Sequence, residues 1–431
     1  MIALEQQLPV LYGADCQARV QPVLIEGYQA VIDSVWPLLP GTSAAPQLHV
    51  VHSPFARPTS VHGDGGRHLI YDQYLGQVFN RLTRIEFAEA ESRVAYSYAF
   101  KLYGQRYFIR GDFDAASAMA NSSEMMVSRS ENQSALEEDE DQFSLRTTVA
   151  WMQECFALCH ELVHVTIEDG NAGELREQFE PTLDKHMEGI SVAVAALSEK
   201  EVHQAMAASL AEDSARLAAR RGSAVHDDTT LRLTDEELDH DIRRFEAQLE
   251  KVKRPDVVQE AMCDYYGAIL AADSLGSADQ GRPLVYAASC LGLLHLRLLQ
   301  YLDGVADPFE SSQDNFEQAI LRASILRTGL SLELRSRSGG DGLAEEFRTL
   351  ATAFNRKHSE IILDQVMTFD LARLATDMVA RASSPSDQAA ASRKLGLGPV
   401  PHLTHLQVEA LLRQRDTLSK ATVDGIVESH R

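Results

Sequence analysis

Cysteine is scarce in this chain: Cys16, Cys155, Cys159, Cys263 and Cys290 are five in 431 residues, odd in number and widely spread. A disulfide framework needs regular pairs, so this usage suits a reducing compartment, and a cytoplasmic location is expected. Basic charge is in deficit as well, with 40 Lys plus Arg against 63 Asp plus Glu and a formal net charge of −23. A surface of that sign repels phosphate backbones and anionic lipid heads, which argues against nucleic acid and membranes as partners. Long apolar runs are missing too. The longest, Pro283 to Leu299, is interrupted by Ser289, His295 and Arg297, so no bilayer-spanning segment is expected. Met1 to Gln7 carries no basic cluster leading into an apolar run, so no secretion signal is expected either.

What is present is an ordinary globular composition, 45% hydrophobic and 24% charged, which excludes collagen-like and wholly disordered chains. The length suggests two or three domains. Residues 1–120 read as an α+β region: Gln47 to His52 and Arg67 to Tyr71 look like strands, and Tyr74 to Ile85 has helical spacing. The alternation Val94, Tyr96, Tyr98, Phe100, Leu102 reads as a further strand. Residues 121–143, with five consecutive acids from Glu137 to Asp141, read as an acidic linker or loop. From there the chain turns helical: a core over 144–305 containing an inserted helical segment at 171–254, then a C-terminal helical region over 306–431. A long helix is expected from Leu145 to Ile167, closed by Asp169-Gly170, and another from Asp256 to Leu270. Others are expected from Thr234 to before Pro255 and near 282–303, 314–335, 342–380 and 404–416. The expected fold class is mainly α with a small α+β portion in front.

The chemistry concentrates at His160-Glu161-Leu162-Val163-His164, an H-E-x-x-H on an expected helix. Two histidines four apart lie one turn along the same helix face, so their imidazoles can converge on one metal ion. Glu161 is turned by about 100° from His160, within reach of a water held by that ion. Zinc lowers the pKa of such a water to about 7, and a carboxylate can take its proton. Leu158, Leu162, Val163 and Val165 would seat the helix in a core. A catalytic zinc needs a third protein ligand and an open fourth position. Glu168 is one candidate, a further turn along and more naturally part of the helix end. Glu260 is the better one. With Asp264 it forms an i, i+4 pair on an otherwise apolar helix, where two acids are costly unless a cation or a hydrogen-bond donor meets each.

H-E-x-x-H followed by E-x-x-x-D resembles the zincin metallopeptidases of the gluzincin type. The Cys-Asp-Tyr-Tyr-Gly-Ala stretch after Glu260-Ala261-Met262 is also similar to intracellular bacterial zincins of the phage-exclusion and stress-regulator kind. The resemblance covers two short motifs. It implies a zincin-like core with a catalytic Zn2+ held by His160, His164 and Glu260. It further implies Glu161 as general base and Asp264 as the residue orienting His160. It departs in two places: His164 and Glu260 are 96 residues apart, a long gap, and Gln259 stands where Asn often precedes the second Glu.

The implied function is hydrolysis of an intracellular protein or peptide, with a regulatory protein partner open as a further expectation for the C-terminal region. Tyr265, Tyr266, His295, Arg322 and Arg327 are chemically able to stabilise an oxyanion, although His295 reads as a core histidine. Cys159 points about 100° away from His160 and reads as a small buried hydrophobe. Two alternatives stand beside the peptidase. One is a non-catalytic regulatory or interaction protein with a structural zinc. The other is a di-iron helical bundle pairing Glu161 and His164 with Glu237 and His240.

Overall fold

The computed structural model describes residues 4–13, 15–41, 44–63, 66–88, 92–127, 136–197, 250–276, 278–306, 312–363, 388–397 and 408. Among the described residues the protein is mainly helical, with one small three-stranded sheet. Helices α1 (Leu4–Tyr12) and α2 (Pro22–Val35) lead into strands β1 (Gln47–Val51), β2 (Thr59–Gly63) and β3 (Gly66–Asp72). The sheet order is β1-β3-β2. β3 pairs antiparallel with β2 and parallel with β1, placing Leu48 opposite Leu69 and Val50 opposite Tyr71. Asp72 ends β3 and is fully buried; its carboxylate accepts from the backbone N–H groups of Ser53, Ala56 and Tyr74, pinning the strand end to the next helix.

Helices α3 (Tyr74–Phe87), α4 (Ser92–Ile109) and α5 (Phe113–Met126) follow. The alternation at Val94–Leu102 is therefore helical, not a strand. Val94, Ala95, Tyr98, Ala99, Phe100, Leu102 and Tyr103 are all buried, and a helix enclosed on most sides shows no clean 3.6-residue period. Gly104 lies inside α4 for a packing reason: a Cβ there would meet Met119 at 3.0 Å and Leu395 at 2.8 Å.

The long helix α6 (Glu140–Thr166) begins earlier than expected, and α5 extends to Met126, so both ends of the 121–143 stretch are helical. The acids are used locally. Asp139 caps α6 in a reciprocal capping box with Gln142, Glu140 and Asp141 occupy its first turn, and Glu138 pairs with Arg84 and Arg146. After α6 a wide turn, Ile167–Asn171, with Gly170 at φ +92°, reverses the chain into α7 (Ala172–Leu197). Then come α8 (Pro255–Ser274), α9 (Arg282–Ala306), α10 (Ser312–Arg335), α11 (Gly340–His358) and α12 (Gln388–Leu395). The helix expected from Thr234 lies outside the described residues up to 249, as does nearly all of 404–416. The helix expected over 342–380 is described only to 363.

The main core gathers residues of α2–α4, the sheet, and α6–α11. α9 sits at its centre. Together with the short turn before it, it makes the one segment among the described residues long and apolar enough to cross a membrane, Asp279–Leu302, and 72% of its apolar window is buried inside the protein.

Candidate metal centre

On α6, Cys155, Phe156, Leu158, Cys159, Leu162, Val163 and Val165 are fully buried, which anchors the helix and leaves His160 and His164 on its remaining face. α8 packs directly across that face. Gly267 makes this approach possible, since a Cβ there would stand 2.9 Å from the His160 backbone nitrogen and 3.0 Å from its Cα. The close contact brings Glu260 and Asp264, one turn apart on α8, against the two imidazoles.

His160 Nε2 lies 3.1 Å from His164 Nε2. Glu260 approaches the pair, with Oε1 3.3 Å from His164 Nε2 and Oε2 3.7 Å from His160 Nε2. Ligands of a tetrahedral ion at about 2.0–2.1 Å stand about 3.3–3.4 Å apart. The three separations bracket that value, so these residues fit a metal ion of this size. The side chains of His160, His164 and Glu260 are 12%, 16% and 37% exposed, so the group opens to solvent. Behind it, Asp264 is completely buried and its Oδ1 lies 3.0 Å from His160 Nδ1. A proton on Nδ1 directed at Asp264 leaves the Nε2 lone pair facing the group.

Arg322 on α10 completes the arrangement. Its Nε and Nη2 donate to Asp264 Oδ2 and Oδ1, each at 2.8 Å, and its Nη1 lies 3.0 Å from Glu260 Oε2. Burial alone pushes the Asp264 carboxyl up, but the Arg322 charge and the hydrogen bonds from His160 and Arg322 outweigh it and hold the carboxyl below its usual range. For Glu260 burial again opposes ionisation, and the hydrogen bond from His164 with the Arg322 charge prevails, keeping it well below the usual range. Sequence reasoning named Arg322 only among five oxyanion candidates. Its pairing spans 58 residues from Asp264, and no local spacing signals that.

Glu161, half-buried, follows His160 on α6 and lies close enough to Cys263 on α8 to influence its thiol. Burial pushes the Cys155, Cys159 and Cys263 thiols up, so none is poised as a nucleophile. Glu168 is at the helix end, paired with Arg67 at 2.6 Å and outside the metal group. Of the other oxyanion candidates, Tyr266 donates to Leu175 O, Tyr265 packs its ring against Phe179 and Tyr266, and Arg327 reaches Thr352. His295 is a buried core histidine on Glu86. Glu237 and His240 lie outside the described residues.

Glu86, His295 and His358 form a second cluster of metal-ligand type. His295 Nε2 and His358 Nδ1 both reach Glu86 Oε1, at 3.0 and 2.8 Å. All three side chains are sealed in the core, and His295 Nδ1 is buried without a hydrogen-bond partner. A metal on Nε2 would leave Nδ1–H with no acceptor, whereas an Nε2–H donated to Glu86 leaves only a bare lone pair. The cluster is a hydrogen-bonded core triad. Burial pushes Glu86 up, but the interactions with His295 and His358, including the bonds that both donate, outweigh it and hold the carboxyl down at about 2. Its folded pKa is depressed below the ordinary 4.5, so its stabilisation is full above about pH 4.5 and fades as pH falls towards 2. Glu86→Ala is expected to lower unfolding free energy by about 3–5 kcal/mol at pH 7 in urea titrations, and by much less at pH 3.

No protein family, curated protein or solved structure matches this chain, so the functional reading rests on its own residues.

Proposed function

We propose that the chain is a zinc-dependent metallopeptidase acting on a protein or peptide. The observation that carries this reading is the convergence of His160 Nε2, His164 Nε2 and a Glu260 carboxylate within 3.1–3.7 Å of one another, on a face open to solvent. Structural zinc sites are closed by four protein ligands, whereas catalytic ones keep three and an open position. Among the described residues this group has three members, with two nitrogens and one carboxylate, which favours the catalytic kind. A di-iron centre would need further carboxylates at the same point, and among the described residues the group contains one. Zinc bound here supplies a Lewis acid and an acidified water.

The residues of the chain divide the remaining work. Asp264 and Arg322 fix the tautomer of His160 and the rotamer of Glu260 before a ligand arrives. Glu161 accepts a proton as a nucleophilic water attacks the scissile carbonyl, then gives it to the departing amine. The test is incubation of the zinc-loaded protein with a proteome-derived peptide library and identification of new termini by mass spectrometry. Cleavage that stops with a chelator and returns with zinc supports the reading; an unchanged library overturns it. Asp264→Asn is expected to weaken zinc binding about 10–100-fold in chelator competition, because one of the two accepting oxygens becomes an NH2 donor that cannot serve both His160 and the Arg322 fork, and Arg322 loses its charged partner.

A further inference from the structure

A separate cavity of about 560 Å³ opens between α7, α10 and α11. Its size falls in the range of about 300–1,000 Å³ typical of small-molecule sites. Lys185, Arg327, Arg335 and Arg348 line it together with His186 and Thr328, and no Asp or Glu is among its lining residues. In a chain of net charge −23, four cations from three helices line one cavity, and the acids that meet Lys185, Arg335 and Arg348 (Glu188, Asp341 and Glu345) stand outside its lining.

His186 contributes part of the cavity wall. The residue is 5% exposed and lines the cavity. Its Nδ1 lies 3.2 Å from Thr328 Oγ1. The Thr328 hydroxyl proton is directed at Ser324 O, so Thr328 accepts from Nδ1–H. Nε2 is shielded from solvent and keeps a bare lone pair, and burial pushes the imidazole pKa down, so the ring stays neutral.

The cations are available for an anionic ligand. Arg327 reaches the Thr352 hydroxyl at 3.5 Å and has no carboxylate partner among the described residues. Arg335 is 3.9 Å from Asp341, and the Lys185–Glu188 and Arg348–Glu345 pairs are exposed. Exposed pairs contribute little and exchange readily for a ligand anion. Arginine forks match phosphate oxygens two at a time, and a phosphate monoester carries enough charge to engage several cations at once. Ile190, Leu332 and Phe347 add an apolar wall for the body of such a molecule.

We propose that this cavity is a binding site for a phosphate-bearing small molecule, held by Arg327, Arg335, Arg348 and Lys185. None of its lining residues belongs to the metal centre, so the proposal stands or falls apart from the peptidase reading. The test is isothermal titration of the zinc-loaded protein with inorganic pyrophosphate at constant ionic strength, with chloride as the control anion. One saturable site is expected, weakened at least tenfold in Arg327→Gln and in Arg348→Gln, and unchanged in Arg254→Gln, which alters an exposed arginine elsewhere. The two cavity variants guard against misfolding of either one, checked by circular dichroism. Absence of saturable binding overturns the proposal, as does equal affinity in folded cavity variants, which would move the pyrophosphate to the metal centre.

Discussion

Glu161→Gln is expected to bind zinc as tightly as the parent chain and to cleave peptides about 10²–10⁴-fold more slowly, the range typical of a lost general base. The substitution keeps shape and volume and removes only the ability to take a proton. Glu161 is not one of the three converging ligands, so the metal group should remain intact. The carboxamide can still hydrogen-bond a water but cannot accept its proton near neutral pH. At about 1.36 kcal/mol per tenfold, the expected loss is about 2.7–5.5 kcal/mol of transition-state stabilisation. Zinc content by elemental analysis and initial cleavage rates on one peptide from the library measure the two halves. If zinc is retained and the rate is unchanged, Glu161 has no role in proton transfer, and a non-catalytic metal site becomes the better account.

The second large effect is expected at Glu260. Glu260→Ala should lower zinc affinity by more than about 100-fold, exceeding the 10–100-fold typical of losing an outer partner such as Asp264, because a ligand itself is removed. Two histidines one turn apart then remain, and the Arg322 guanidinium, still forked onto Asp264, loses the carboxylate that met its Nη1. Competition against a chromophoric chelator ranks the parent, Asp264→Asn and Glu260→Ala in one experiment. An affinity for Glu260→Ala equal to that of the parent would remove Glu260 from the ligand set and turn attention to donors outside the described residues.

Much of this arrangement was legible before any coordinates, for reasons that differ by residue. His160 and His164 are four apart on a strongly apolar helix, and Glu260 and Asp264 repeat that spacing on another, so each pair shares a face by helix geometry alone. The apolar pattern and the Asp169-Gly170 stop located the C-terminal end of α6, where Gly170 does take a left-handed φ. The start of α6 was misjudged because Glu137–Asp141 looked like a solvated run; a cap followed by acids in a first turn gives the same signal. α4 was hidden by its own burial. Arg322 and Gly267 illustrate a harder limit. An arginine that meets an acid 58 residues away, and a glycine whose missing Cβ admits another helix, acquire meaning only when the helices dock.

The basic cavity was illegible for the same reason. Lys185, Arg327 and Arg348 are scattered through charged, helical sequence, and their convergence depends on α7, α10 and α11 packing together. A net charge of −23 describes the whole chain and conceals such a local gathering of cations. Whole-chain charge remains a sound argument against long polyanions, whose binding needs an extended basic surface, and it is silent on a single small anion.

Elemental analysis of the purified parent chain beside His160→Ala/His164→Ala tests the central claim most directly. The account predicts about one zinc per parent chain and essentially none in the double variant, with both proteins folded by circular dichroism. Equal zinc in the two, or a parent chain that binds no zinc when supplied with it, would contradict a metal centre at His160, His164 and Glu260.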